Sequence, residues 1–269
     1  MMRALWTAAG GMTGQQMNVD VISNNLANVN TTAYKKDRVE FKDLVYAKMN
    51  KAYNLDDEKP AGLQVGMGSM PSSIVKNFEN GTLETNESNT AFAIEGEGFF
   101  TLRNAQGDIV YTKDGNFSLS PTEEGSMLVN TQGYPVLDSA GNSIIFETTN
   151  PDNISVNQLG DIYIKNDAGV AEDLGITIGI VKFRNPIGLE SIGNNNYRTT
   201  EASGQPLWEG ELDEGEKRST VLQGYLEGSN VQLVDEMVNL IVAQRAYEIN
   251  SKIIQASDDM LSQANNLKR

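Results

Sequence analysis

Residues 231–267 read VQLVDEMVNLIVAQRAYEINSKIIQASDDMLSQANNL, and this stretch decides the predicted fold. Apolar side chains recur in it every seven residues, at Leu233, Leu240, Tyr247, Ile254 and Leu261. Such a period is typical of a long helix that packs against other helices. Further apolar residues flank this series, namely Ala246, Ile253, Met260 and Leu267 on one side and Val242, Ile249 and Ala256 on the other. The apolar stripe is therefore wider than one partner helix would cover, which predicts several neighbours.

The first thirty residues carry the same seven-residue period. Leu5, Met12, Val19 and Leu26 form one series, and Gln15 is its polar interruption. A second series lies three residues further on, at Ala8, Ile22 and Val29. We therefore predict two long helices, over 3–29 and 231–267, that pair as a coiled coil.

Between the predicted helices the pattern changes to that of β-structure. Turn glycines recur from Gly98 to Gly141 at intervals of eight to ten residues. The short apolar runs between and after them are 98–102, 109–112, 117–119, 127–129, 135–137, 144–146, 162–164 and 176–183. Strands at this spacing, joined by Asp-Gly and Gly-Asn turns, predict an antiparallel all-β domain. The fold class is therefore α+β, with the β domain inserted between the terminal helices.

Charge divides the chain in the same way. The formal charge is +2 over residues 1–50, −15 over 51–225 and −2 over 226–269. This contrast predicts nearly neutral ends that pack against protein and an acidic middle that faces water. The predicted segments are an N-terminal helix with its connector, an extended connector, a β-rich outer domain, a second connector and a C-terminal helix, over 1–50, 51–75, 76–200, 201–225 and 226–269.

Composition excludes several classes of protein. The chain of 269 residues has no cysteine, which removes disulfides, thiol nucleophiles and thiolate metal sites. It has no histidine, which removes Ser-His-Asp chemistry and nearly all transition-metal sites. The net charge of −15 argues against a nucleic-acid partner. Polar residues from Gln15 to Asp20 interrupt the apolar start, so we do not expect a cleaved secretory signal.

Carboxylates are the only plentiful groups that could be catalytic. The pairs Glu95/Glu97 and Glu123/Glu124, and the cluster Glu211/Asp213/Glu214/Glu216, could supply the acid and base of a glycosidase. Such an enzyme needs an aromatic-lined cleft, yet only 7% of the residues are aromatic. There is no calcium-loop motif, and Gly66-Met67-Gly68 lacks the lysine of a phosphate-binding loop. We therefore predict no catalytic, cofactor-binding or metal site.

Several long motifs resemble those of the bacterial flagellar rod and hook proteins. The N-terminal motifs are Leu5-Trp6-Thr7-Ala8-Ala9, Gly11-Met12, Gln15-Gln16 and DVISNNLANVNT over 20–31. The C-terminal motifs are GSNV over 228–231, EMV over 236–238 and QRAYEINSK over 244–252. The middle of the chain contributes GEGFF over 96–100, YTKDGNF over 111–117 and LESIGNN over 189–195. The chain is identified by these motifs as a member of that family, and its length and Leu5-Trp6 opening are most like the distal rod subunits.

The resemblance implies a structural, non-enzymatic subunit without cofactors, nucleic acid or a small-molecule substrate. Copies of the chain would form a helical tube, with the terminal helices lining the inside and the β domain outside, that passes motor torque to the hook. Further implied partners are the proximal rod proteins, the hook protein, the surrounding ring proteins and the flagellar type III export apparatus. The implied location is the basal body, in the cell envelope and periplasm, after export without a cleaved signal peptide.

The residues that we expect to pack between subunits are those of the two apolar stripes. They are Leu5, Met12, Val19, Ile22, Leu26, Val29, Leu233, Leu240, Tyr247, Ile253, Ile254, Met260, Leu261 and Leu267. Alternatives within the family are a proximal rod subunit and a hook subunit. Alternatives outside it are a carboxylate-based cell-wall glycosidase and a passive surface β protein.

One residue departs from the family pattern. Where the family has Asn-Thr-x-Gly-Phe/Tyr-Lys, this chain has Asn30-Thr31-Thr32-Ala33-Tyr34-Lys35. An alanine with positive φ costs about 1 kcal/mol more than a glycine. We therefore do not expect a left-handed conformation at Ala33.

Overall fold

A computed structural model of the chain describes residues 2–48, 64–123, 125–146, 153–165, 171–211 and 218–267. These residues belong to two compact units. The first unit comprises Met1–Ala27, Asp37–Lys76 and Gln232–Arg269, and the second comprises Asn28–Lys36 and Asn77–Val231. The predicted α+β class is confirmed, because a helix near each end flanks a set of antiparallel sheets.

Two long helices dominate the first unit. Helix α1 spans Met2–Ala27 and helix α2 spans Leu233–Asn266, within a few residues of the predicted bounds. They run antiparallel, since Gly11 lies against Asn250 while Asn25 donates a hydrogen bond to Glu236 Oε2 at 3.3 Å. A Cβ atom at Gly11 would come within 2.9 Å of the Asn250 side chain. Glycine at this position thus lets the two helices approach closely.

Two small two-stranded sheets complete the first unit. Its strands are β1 (Asp37–Asp43), β2 (Ala47–Lys48), β3 (Gln64–Val65) and β4 (Ser69–Lys76), with β1 paired to β4 and β2 paired to β3. The segment that we predicted as an extended connector, 51–75, thus contains paired strands, and its residues 51–63 lie outside the described part. The sequence pattern did not reveal β4, because the strand leaves apolar side chains such as Met70 and Ile74 exposed and lacks a buried alternate face.

The second unit consists of antiparallel sheets. Its strands are β5 (Leu83–Thr85), β6 (Phe92–Glu95), β7 (Phe99–Arg103), β8 (Ile109–Thr112), β9 (Ser118–Thr122), β10 (Gly125–Val129), β11 (Ile145–Phe146), β12 (Ile154–Val156), β13 (Asp161–Lys165), β14 (Ala171–Thr177), β15 (Ile180–Lys182), β16 (Glu190–Gly193), β17 (Asn196–Arg198), β18 (Leu207–Trp208), β19 (Thr220–Gln223) and β20 (Tyr225–Glu227). The largest sheet has the order β16-β17-β8-β7-β15-β18. Smaller sheets have the orders β11-β10-β9, β12-β13-β14, β19-β6 and β20-β5.

Most apolar runs of the β region form strands at or near the predicted places. The run 135–137 is the exception, since it makes isolated bridges, such as that between Leu102 and Val136. The region 201–225, predicted as a connector, contains β18, β19 and the start of β20.

Strand β7 joins two hydrophobic cores. Phe100 and Leu102 point into the larger core, which also contains Phe92 and Ile94. The neighbouring Phe99 points to the other face, where Tyr111, Val181, Phe183, Leu189 and Tyr197 form a smaller, largely aromatic core. Because successive side chains of a strand alternate between faces, the Phe99-Phe100 pair fills both cores at once.

Gly115 follows β8 and lies flat against the backbone of β6. Its carbonyl oxygen accepts a hydrogen bond of 3.0 Å from the Phe92 N–H. A Cβ atom at Gly115 would stand only 1.7 Å from the Phe92 carbonyl oxygen, and backbone cannot move aside as a flexible side chain can.

We therefore expect Gly115→Ala to lower the free energy of unfolding of the second unit by about 3 kcal/mol, at the upper end of overpacking effects. Urea unfolding followed by circular dichroism measures this change. Gly210→Ala is the matched control, because no atom of the described residues lies within 4 Å of the added Cβ atom. Equal midpoints for the two variants would contradict this prediction, because they would show that the backbone of β6 moves to admit the Cβ atom without loss of stability.

The expectation for Ala33 is wrong. Ala33 has a φ angle of 54°, in the left-handed region. Its N–H donates a hydrogen bond of 2.7 Å to the Glu227 carbonyl oxygen, and its side chain is buried. These tertiary contacts fix the backbone and offset a conformational cost of about 1 kcal/mol.

Candidate functional site

One face of α2 packs toward α1, and we call it the inner face. Asn250 and Glu236 touch α1, and the positions that share their face alternate at spacings of four and three residues. These positions are Glu236, Leu240, Ala243, Tyr247, Asn250, Ile254, Ser257 and Leu261. Glu236, Ala243 and Ser257 are buried, and Leu240, Ile254 and Leu261 are half-buried. This face is thus occupied within a single chain.

A second apolar stripe lies on another side of α2, about a third of a turn around the helix from the inner face, and we call it the outer face. It consists of Val238, Val242, Ile249, Ile253 and Met260. Each of these side chains is between 41% and 61% exposed. A continuous apolar stripe of this length on the surface of a single chain is typical of an interaction site. Among the described residues, no other element of the chain covers it.

The predicted packing residues of α2 divide between the two faces and the helix ends. Leu240, Ile254 and Leu261 lie on the inner face, together with Tyr247, which stays 40% exposed at its edge. Ile253 and Met260 lie on the outer face. Leu233 and Leu267, at the two ends of α2, are exposed.

The predicted packing residues of α1 are mostly covered. Ile22 is buried, and Leu5, Met12, Val19 and Leu26 are half-buried. Val29 lies beyond the end of α1, in the second unit, and is half-buried there. The most exposed apolar side chain of α1 is Trp6, with 76% of its surface accessible. Sequence reasoning did not single it out as a packing residue, because it lies off the seven-residue series.

An open cleft of about 410 Å³ lies between the two helices. Gln16 and Val19 of α1 and Gln244, Tyr247 and Glu248 of α2 line it. The lining combines apolar surface with amide and carboxylate groups, which suits a side chain with an apolar body and a polar tip.

The carboxylates considered for catalysis do not form a cleft in the described part of the chain. Glu95, Glu97 and Glu123 are exposed. Glu124 and residues 212–217 lie outside the described residues, and so does the side chain of Glu211. Over the described ranges, no group of three or more acidic side chains is arranged to hold a metal ion. No described helix is long and apolar enough to span a membrane.

Sequence reasoning missed a buried ionic cluster in the second unit. Lys35 Nζ lies 2.6 Å from Glu227 Oε1, and both side chains are fully buried. Lys35 also donates to the Glu79 carbonyl oxygen at 2.6 Å, and the Gly81 N–H donates to Glu227 Oε1 at 2.8 Å. Burial holds the pKa of Lys35 below its usual value, and the Glu227 carboxylate opposes that shift.

Four short segments of chain meet at this cluster. The Lys36 N–H donates to Asn230 Oδ1 at 2.8 Å, and Asn230 Nδ2 donates to the Asn77 carbonyl oxygen at 2.8 Å. Together with the Lys35 and Glu227 contacts, these bonds join residues 33–36, 77–81 and 227–230, and we call this set of bonds the anchor. Lys113 adds a fourth segment, because its ammonium donates to Asn80 Oδ1 and to the Gly96 carbonyl oxygen, both at 2.9 Å. The sequence signal is a lysine in each of two family motifs, at Tyr34-Lys35 and Tyr111-Thr112-Lys113.

Comparison with known families gives three matches along the chain. Residues 5–35 match the flagella basal body rod protein family, residues 93–164 match the flagellar hook protein FlgE/F/G D1 domain, and residues 222–267 match the flagellar basal body rod FlgEFG protein C-terminal family. The first match covers most of α1, the third covers all of α2, and the second lies in the second unit.

Comparison with individual proteins extends this similarity to the whole length. The chain is 46% identical to the flagellar basal-body rod protein FlgG of Borreliella burgdorferi, over 100% of both chains. The chain belongs to the FlgG family of flagellar basal-body rod proteins.

Other relatives agree with membership of the FlgG family. The FlgG protein of Caulobacter vibrioides is 38% identical over 99% of this chain and 100% of its own length. The flagellar hook-basal body complex protein FlhP of Bacillus subtilis is 30% identical over 100% of both chains. The resemblance of the motifs to the flagellar rod and hook family is thereby confirmed.

Proposed function

We propose that this chain is a structural subunit of the distal rod of the bacterial flagellum. Copies of it assemble helically into the drive shaft that passes motor torque to the hook. The observation that carries the proposal is the outer face of α2, an apolar stripe that a single chain leaves exposed. The chain is similar to FlgG proteins of several bacteria over its full length, which supports the rod as the place where that stripe is covered.

Within one chain, we propose that α1 and α2 pair as a coiled coil through the inner face. Its spacing of four and three residues is that of a and d positions. The polar members Glu236 and Asn250 then fix the register, since Glu236 accepts from Asn25 and Asn250 fits against Gly11. The outer face and exposed side chains such as Trp6 then contact other subunits.

We propose a place in the assembled tube for each of the predicted segments. The two terminal segments, 1–50 and 226–269, form the inner tube, and the β-rich segment 76–200 lies outside it, joined through 51–75 and 201–225. The net charge of −15 over residues 51–225 supports a water-facing outer part.

We further propose that the chain leaves the cell through the flagellar type III export apparatus and functions in the basal body, within the cell envelope and periplasm. There it contacts proximal rod proteins, the hook protein and the surrounding rings. It has no catalytic role in this proposal, and the exposed positions of Glu95 and Glu97 support that reading.

Basal bodies from a strain that lacks the chain test the proposed function. We expect particles that end at the proximal rod and carry no hook. When the chain is restored, the particles should regain the distal rod and the hook. A proximal rod that is itself missing, or a rod that is complete without a hook, would instead support the proximal rod or hook alternative. Loss of peptidoglycan cleavage on replacing a carboxylate pair would support the glycosidase.

Order before assembly gives a further prediction. In the monomer, α2 exposes an apolar stripe, and α1 contains Gly10, Gly11 and Gly14, each costing about 1 kcal/mol relative to alanine. The second unit has its own cores and the anchor. We therefore expect limited proteolysis of dilute monomer to remove both helices. The fragment left should run from about residue 28 to about residue 231 and hold the second unit together with residues 37–76 of the first.

Mass spectrometry identifies the ends of this fragment, and assembled rods serve as the protected control. Slow hydrogen exchange of the amides over 233–266 in the monomer would contradict the prediction, because it would show that the helices are stably paired before assembly.

A further inference from the structure

Lys113 and Asn80 are placed for a covalent bond between their side chains. We propose that an isopeptide bond forms between Lys113 Nζ and the side-chain carbonyl carbon of Asn80 once the second unit has folded. The Lys113 ammonium donates to Asn80 Oδ1 at 2.9 Å and to the Gly96 carbonyl oxygen at 2.9 Å. These two bonds hold the nitrogen beside the amide in a fixed orientation, which supplies the proximity that the reaction needs.

The surroundings of Lys113 favour a nucleophilic amine. The residue is 1% exposed, and Nζ stands 5.5 Å from the centre of the Phe99 ring. Burial, reinforced by the nearby charge of Lys35, lowers the pKa of Lys113 to about 8. A desolvated lysine beside another cation is a recurring way to obtain a reactive neutral amine near neutral pH.

Glu227 is the carboxylate of the proposed proton transfer, and it is bonded to the residue that follows Asn80. Its Oε1 atom accepts from the Gly81 N–H, one residue after Asn80, and from Lys35. Its Oε2 atom is buried and has no hydrogen-bond partner among the described residues. A buried carboxylate oxygen with unused lone pairs is suited to relay a proton between two nitrogen atoms.

The proposed step is balanced without an oxidant or a further reactant. Lys113 first releases one proton to solvent and becomes the neutral amine. Its nitrogen attacks the Asn80 side-chain carbonyl carbon, the new C–N bond forms, and the bond from that carbon to Asn80 Nδ2 breaks. One proton passes from Lys113 Nζ to the departing nitrogen through Glu227, and ammonia leaves.

Asn80 precedes a glycine, so a second reaction competes for the same side-chain amide. In that reaction the Gly81 backbone nitrogen attacks the same carbon, gives a succinimide and also releases ammonia. The Gly81 N–H is engaged with Glu227 at 2.8 Å, which holds this nitrogen away from the attack. The Lys113 nitrogen, by contrast, is hydrogen-bonded to the Asn80 amide oxygen at 2.9 Å.

Intact mass of the full-length purified chain tests the proposal. We expect the wild-type chain to be lighter than its sequence by one ammonia after incubation in mildly alkaline buffer. Trypsin should then fail to cleave after Lys113, and tandem spectra should show the peptide with Asn80 joined to the peptide with Lys113. A wild-type chain at its full sequence mass would overturn the proposal.

Lys113→Arg is the matched control, because arginine keeps the charge and the donors but is not a nucleophile. We expect this variant, and Asn80→Ser, to keep the full sequence mass. Loss of ammonia that persists in Lys113→Arg would assign it to the succinimide and would also overturn the proposal. The wild-type measurement stands by itself if either variant fails to fold.

Discussion

Replacing Ile249 by lysine is expected to abolish the rod while the monomer stays folded. Ile249 lies in the middle of the outer face and is 58% exposed in the single chain, so a lysine there is hydrated and changes monomer stability by less than about 0.5 kcal/mol. In an assembled tube the same ammonium is buried without a partner, which costs about 3–5 kcal/mol at every repeated contact. A cost of this size lowers the association constant of each contact by about a thousandfold.

Motility, electron microscopy of basal bodies and circular dichroism of the monomer measure the effect of Ile249→Lys. Gln255→Lys is the matched control, since Gln255 is exposed on the polar face of the same helix and should tolerate the charge. Intact rods in a motile strain that carries Ile249→Lys would show that the outer face does not contact a neighbour. Ile254→Lys should block the rod for a different reason, because half-buried Ile254 packs toward α1 and a lysine there disturbs the pairing of the two helices.

Replacing Lys35 by methionine is expected to have the largest effect on the second unit. Lys35 and Glu227 are both fully buried, and their charged atoms lie 2.6 Å apart. Removing the cation leaves the Glu227 carboxylate without its ion-pair partner in a fully buried site. Removing one partner of a buried pair typically costs about 3–5 kcal/mol. Urea unfolding followed by circular dichroism should show a correspondingly lower midpoint.

Arg198→Met is the control for the loss of an ion pair on the surface. Arg198 and Glu190 lie 3.0 Å apart, but their side chains are 51% and 54% exposed. Exposed pairs contribute about 0–1 kcal/mol, so this variant should unfold near the wild-type midpoint. In Lys35→Met/Glu227→Leu both charges are removed and much of the stability should return, although the Gly81 N–H loses its acceptor. A Lys35→Met midpoint equal to that of Arg198→Met would contradict the assigned role of the ion pair.

The parts of the fold that sequence predicted are those with a local period. A seven-residue series placed α2 within two residues at its start, and regular glycines placed β7 to β10. The same series selected Leu240, Ile254 and Leu261, which lie on the inner face. The outer face was only partly selected, since Val238, Val242 and Ile249 lie off that series. A period reveals that a helix has an apolar face, but the partner of each face depends on the tertiary structure.

The parts that sequence missed depend on contacts between distant residues. Strand β4 exists because it pairs with β1, some thirty positions earlier in the chain, and not because of its own pattern. The left-handed Ala33 is held by Glu227, almost two hundred residues away. The pairing of Lys35 with Glu227 could not be foreseen either, since a lysine in a motif is expected to be exposed. Local propensity carries none of this information.

The anchor also decides where mechanical load travels in the molecule. The chain passes between the two units at residues 27/28, 36/37, 76/77 and 231/232, and the segments 33–36, 77–81 and 227–230 are bonded to one another inside the second unit. A pull transmitted along the backbone from the terminal helices reaches these crossed bonds before it reaches any strand of the large sheet. These bonds bear the load together, because they share Lys35, Glu227 and Asn230. Tension is therefore carried first by the anchor, and the strands of the large sheet are not pulled apart one after another.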